Sequence, residues 1–63
     1  MYGIFEIAGL RKVRAYDGAE FATIEIALSN VSPVVCYDID EEHDAADFFT
    51  FGGNVYSIER VSA

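Results

Sequence analysis

Asp17-Gly18 constrains this chain more than any other pair of residues. Gly tolerates the positive φ of a type I′ turn, so an Asp-Gly loop between apolar segments predicts a β-hairpin. Pairing outward sets Tyr16 opposite Ala19, Ala15 opposite Glu20, Val13 opposite Ala22, Arg11 opposite Ile24 and Ile7 opposite Leu28. One face then collects Phe5, Ile7, Val13, Ala22, Ile24, Ile26 and Leu28. The other collects Glu6, Lys12, Arg14, Thr23, Glu25 and Ser29, with Ile4 and Phe21 as exceptions. That division suits a half-buried antiparallel pair. Strand one is expected over about Gly3 to Tyr16, broken or bulged at Gly9, and strand two over about Glu20 to Leu28. Arg11 falls on the apolar face unless a bulge at Gly9 or a longer turn moves it. A helix over Ala19 to Leu28 competes, because Phe21, Ile24 and Leu28 also fit helical spacing. The β-branched residues and the alternation after Ala22 favour the strand.

Asn30-Val31-Ser32-Pro33 reads as a loop, and Pro33 opens a third strand, Val34 to about Tyr37 or Ile39. That strand is apolar on both faces and is expected in the sheet interior. A short helix follows over about Asp40 to Phe49, then a turn at Phe51-Gly52-Gly53-Asn54 and a last strand, Val55 to Val61. The order β-β-β-α-β predicts a single α+β domain over residues 1–63: a mostly antiparallel four-stranded sheet with one helix against it. Sixty-three residues bury only about 60% of the unfolded surface. The hydrophobic share of 52%, with five Phe and four Tyr, suffices for one small core but leaves little room for an enclosed active site.

A single cysteine, Cys36, cannot form an internal disulfide, which favours a reducing compartment, and a cytoplasmic location is expected. The apolar stretch Gly3 to Leu10 is short and precedes Arg11, Lys12 and Arg14, the reverse of a signal peptide. No segment reaches the roughly 20 apolar residues of a membrane span.

Charge separates the halves of the chain. Asp38, Asp40, Glu41, Glu42, Asp44 and Asp47 fall within residues 38–47, where no Lys or Arg occurs, so that segment holds nearly all of the formal net charge of −7. Nucleic-acid phosphates and anionic membranes are thereby disfavoured as direct partners. On a helix, Asp40, Asp44 and Asp47 fall within about 60° of one another, with Ala45, Phe48 and Phe49 opposite. Such a helix buries two Phe and lines three carboxylates along its outer face. Capping explains part of the run: Asp38 or Asp40 suits an N-cap, Asp38 with Glu41 resembles a capping box, and acids favour the first turn. It does not explain six acids without a Lys or Arg, since like charges at i,i+4 repel.

Other chemistries fit less well. Asp38-x-Asp40-x-Glu42 starts like a calcium loop, but His43 stands where such a loop needs Gly and Phe49 where it needs Glu. One His and one Cys do not make a zinc site. Cys36, in an apolar strand, is expected as a buried, unreactive thiol, and His43 as a solvated residue. Neither catalysis nor a cofactor or metal is expected.

In type the chain resembles the small acidic inhibitors that phages and mobile elements encode against host defence nucleases, such as anti-CRISPR proteins and other nucleic-acid mimics. The resemblance rests on length, a pI of about 4.2, the lone Cys36 and the run Asp38-Ile39-Asp40-Glu41-Glu42-His43-Asp44. It implies that Asp38, Asp40, Glu41, Glu42, Asp44 and Asp47 bind the basic surface of a nucleic-acid-binding protein in place of phosphates. The alternative is a structural or accessory subunit, homodimeric or larger, that meets its partner through an aromatic sheet face bearing Tyr2, Phe21 and Tyr56.

Overall fold

The first reversal of the chain falls at Gly9-Leu10. In the computed structural model, which describes residues 1–31 and 34–62, β1 (Tyr2–Ala8) pairs antiparallel with β2 (Arg11–Arg14). Ala8 lies opposite Arg11, and Gly9 takes a φ of +65°, as the first position of a tight hairpin loop demands. Asp17-Gly18 is not the hairpin turn. It belongs to a 3-10 turn, Tyr16–Gly18, whose residues have φ of 53°, 55° and 73°. This excursion interrupts the outer strand, which resumes as β3 (Glu20–Phe21) against the same β1, with Gly3 opposite Glu20 and Tyr2 opposite Phe21. The register expected around Asp17-Gly18 is therefore absent.

The long second strand is also absent. After β3 the chain forms α1 (Ile24–Asn30), capped by the Thr23 hydroxyl, which accepts from the Ile26 N–H at 3.1 Å. The helix wins because Ile24, Ala27, Leu28 and Val31 recur at i, i+3, i+4 and i+7 and cover the sheet. An uncovered sheet would leave its apolar face in water. At the other end, the Ser29 hydroxyl and the Asn30 amide both donate to the Ile26 carbonyl, so Asn30 closes the helix and is not in a loop.

Three strands complete the sheet: β4 (Val34–Asp40), β5 (Ala45–Thr50) and β6 (Val55–Arg60). The helix expected over residues 40–49 is instead the β4–β5 hairpin. Alternation decides it: Ala46 and Phe48 face the core, while Asp47 and Phe49 face out. The turn expected over Phe51–Asn54 is present, with Thr50 N–H donating to the Asn54 carbonyl at 3.1 Å, and β6 matches the expected last strand. Pro33 and Ser32 lie outside the described residues.

The domain is α+β, as the sequence indicates, but its antiparallel sheet is larger than four strands. The order is β2-β1-β6-β5-β4, with β3 continuing the line of β2 beside β1. One face packs on α1 through Ile4, Phe48, Ile58, Ala46 and Ala27, with Tyr2, Ile24 and Val31 around them. Phe48 stacks on Tyr56 with ring centroids 4.9 Å apart. Ile4, expected as an exception on the polar side, is fully buried, whereas Phe5 and Ile7 lie on the opposite, open face. There the Arg14 guanidinium sits 5.5 Å above the Phe5 ring. Gly3 makes room for it, because a Cβ at that position would come within 2.9 Å of Arg14 Nε.

Strand β4 is an edge and not an interior strand, and Cys36 on it is exposed, contrary to the buried thiol expected. Among the described residues no helix is long and apolar enough to cross a membrane.

Candidate functional site

The acidic residues lie on a hairpin, so their faces follow a period of two. Asp38 pairs opposite Asp47, Ile39 opposite Ala46 and Asp40 opposite Ala45. With Ala46 buried and Ile39 packed on the core, Asp38, Asp40 and Asp47 project from the open face of the sheet. Glu41 and Glu42 stand exposed at the start of the loop formed by residues 41–44. The expected helical stripe of Asp40, Asp44 and Asp47 does not form: Asp40 and Asp47 share a face with Asp38, and Asp44 turns elsewhere.

Asp40 does cap, but within the hairpin loop. One of its oxygens accepts from the His43 N–H at 3.2 Å, and the other lies 2.6 Å from His43 Nδ1. These contacts, the imidazole first, hold its carboxyl below the usual carboxylate range.

Asp44 adopts a φ of +54°, which swings its carboxylate onto β1 and β6. The Tyr2 hydroxyl donates to it at 2.7 Å and Arg60 Nε at 3.0 Å, while Arg60 also donates to the Tyr2 oxygen at 2.8 Å. The Arg60 guanidinium lies 4.9 Å from the centre of the Tyr2 ring. Tyr2 thus buries its ring and uses its hydroxyl internally, so it is not the exposed contact expected. The Tyr2 hydrogen bond, then Arg60, depress the Asp44 pKa, and the same hydrogen bond raises that of Tyr2.

The signs set a pH window. A depressed carboxylate pKa contributes stability above the ordinary Asp value of about 3.9, lost as pH falls through the lower folded value. A raised phenol pKa contributes below about 10 and is lost as pH rises through the higher folded value. Asp44→Asn is expected to lower the urea midpoint at pH 7, with the gap to the unmodified protein closing as pH falls below about 4. A gap that is constant from pH 7 to pH 2.5 would contradict the clamp.

Lys12 and Arg14 are engaged with acids outside residues 38–47. Lys12 pairs with Glu59, which also accepts from the Ser57 hydroxyl at 2.8 Å, and Arg14 lies 3.6 Å from Glu20. Among the described residues Arg11 meets no carboxylate, and Asp38, Asp40, Glu41, Glu42 and Asp47 meet no Lys or Arg. Of the six acids singled out in the sequence, Asp44 is therefore structural, Asp40 is shared with His43, and four stand free. Asp38 and Asp47 face each other directly across two strands, an arrangement that costs stability.

Beside them runs a shallow groove of about 200 Å³ lined by Cys36, Tyr37, Asp38, Asp47 and Phe49. Tyr37, Phe49 and Phe51 are 59%, 46% and 82% exposed, while Phe21 and Tyr56 are half-buried. The exposed aromatics are thus a different set from Tyr2, Phe21 and Tyr56. Phe49 follows from strand alternation after Phe48, a signal lost when the segment is read as a helix. The Tyr2–Asp44–Arg60 cluster has no local signal, since its members are 42 and 16 residues apart. Cys36 lies opposite Phe49 in mid-strand, and His43 turns back on Asp40 in the loop, so the two do not form one site. Comparison with known protein families, with curated proteins and with solved structures finds no match to this chain.

Proposed function

We propose that the protein is a small acidic inhibitor that binds a nucleic-acid-binding host defence protein or complex, anti-CRISPR-like in type, and performs no catalysis. Its carboxylates take the place of phosphates in a Lys/Arg-lined channel. The observation that carries this reading is the uncompensated pair Asp38 and Asp47 on the open sheet face, with Asp40 beside it and Glu41 and Glu42 at the tip. Like charges set directly opposite lower stability, so their placement is better explained by a partner than by the fold. Asp38 and Asp40 are about 6.8 Å apart along the strand, which matches two axial nucleotide steps of about 3.4 Å. A field of this sign accelerates association with a basic partner and makes it salt-sensitive.

Capture of the partner from the native host, identified by mass spectrometry, opens the test. Asp38→Asn with Asp47→Asn is then expected to weaken binding at least about tenfold, and affinity should fall steeply between about 50 and 300 mM salt. Unchanged affinity in the double variant would remove this function. A second reading, an accessory or structural subunit, draws on the exposed Tyr37, Phe49 and Phe51. It expects an oligomer by light scattering that persists at high salt.

A further inference from the structure

Strand β4 closes the sheet, and among the described residues no strand pairs with its outer edge. Alternate N–H and C=O groups of β4 therefore point away from β5 with no strand partner among the described residues. Proteins usually blunt such an edge with Lys, Pro, a bulge or a covering element. The opposite edge, β2, carries Arg11, Lys12 and Arg14. On β4 the only irregularity falls between Val34 and Cys36, and from Cys36 to Asp40 the strand keeps a regular register with β5. Along that stretch Cys36, Asp38 and Asp40 line the open face, while Tyr37 and Ile39 line the other. Tyr37 is left 59% exposed, as an apolar contact without a neighbour on its outer side.

We propose that β4 over Cys36 to Asp40 accepts an extended segment of a partner protein as an added strand, with Lys or Arg at alternate positions beside Asp38 and Asp40, their long side chains reaching across β4 toward Asp47, and apolar residues between them packing on Tyr37. This rests on the acidic-binding reading above and states how the partner is held. An added strand lies about 4.8 Å from β4, so its open-face side chains stand directly beside Asp38 and Asp40. Backbone hydrogen bonds then supply affinity, and the alternating side chains supply selectivity. The charge complement points to a foreign basic strand over a second copy. Two copies would each bring a formal charge of −7, and the basic strand of this chain already commits Lys12 to Glu59 and Arg14 to Glu20.

A short peptide of alternating lysine and valine probes the full chain without altering β4. Its binding is expected to slow hydrogen exchange of amides within Cys36 to Asp40 at least about tenfold. Methylating the central backbone nitrogens of the peptide should weaken binding at least about tenfold, because the added ladder loses its donors. Asp38→Asn with Asp47→Asn should weaken binding and flatten its salt dependence. If the methylated peptide binds equally well while the Asp variant binds poorly, strand addition is wrong and the acidic reading survives. If β4 amides are protected equally in the Asp variant, the basic chemistry is wrong and the acidic reading falls with it. Protection of β4 without peptide, together with a dimer mass by light scattering, would assign the edge to a second copy and overturn the proposal. Failure of the unmethylated peptide to bind would overturn it as well, while leaving the captured partner to test the acidic reading separately.

Discussion

Phe48→Ala is expected to remove a large share of the domain's stability, shifting its urea midpoint far down. Phe48 is 1% exposed and stacks on Tyr56 with an interplanar angle of 11°. Truncating a buried Phe typically costs about 3–5 kcal/mol. A domain of this length has roughly 3–9 kcal/mol of stability in total, so the loss takes about a third of it or more. Phe49→Ala is the matched control. Its side chain faces out, and the expected cost is within about 1 kcal/mol. Urea unfolding followed by circular dichroism separates the two. Equal, large losses for both would mean that residues 40–49 form an amphipathic helix with both rings in the core, against the hairpin.

Asp38→Lys is expected to move stability and binding in opposite directions. It replaces a like-charge pair across β4 and β5 with an attractive one. For an exposed cross-strand pair the gain is about 0.5–1 kcal/mol, and in a small domain each kcal/mol raises the melting temperature by about 4–8 °C. The same change puts a cation in the centre of the acidic face, and capture of a basic partner should be lost. A variant that melts higher and no longer binds would separate the carboxylate's role in recognition from its cost to folding. A variant that melts lower, or that binds as before, contradicts the arrangement.

These contrasts also show which levels of structure were readable from residue order. The α+β class, the turn at Phe51–Asn54 and the strand after it followed from local signals and length. The helix and one hairpin were exchanged because both segments carry two periodicities. Residues 22–26 alternate apolar and polar, yet Ile24, Ala27, Leu28 and Val31 also share a helical face. The choice fell to tertiary need: the sheet required a cover, and burial outweighed the few tenths of a kcal/mol that β-branching costs a helix. Residues 40–49 have a helical stripe too, but Phe48 and Phe49 side by side fit a strand with one ring in and one out. Asp17-Gly18 was a true positive-φ site put to another use, since Gly9 offered an equally good turn earlier in the chain. For the acidic site, the residues were legible and their faces were not, because faces depend on which secondary structure carries them. Asp44 drops out of the binding set only once Tyr2 and Arg60 are brought to it from distant strands.

The strand order has a kinetic consequence. β6 follows every other element in the sequence, yet it lies between β1 and β5, with Tyr2 opposite Arg60 and Phe48 opposite Tyr56. The β1–β2 and β4–β5 hairpins can close early from local contacts, but neither has a common core until β6 arrives to join them. Most of the sheet energy is thus deferred to contacts of high sequence separation, which places this small domain among the slower folders of its size. Until that last step, β1 and β5 both present open edges, and aggregation competes with folding.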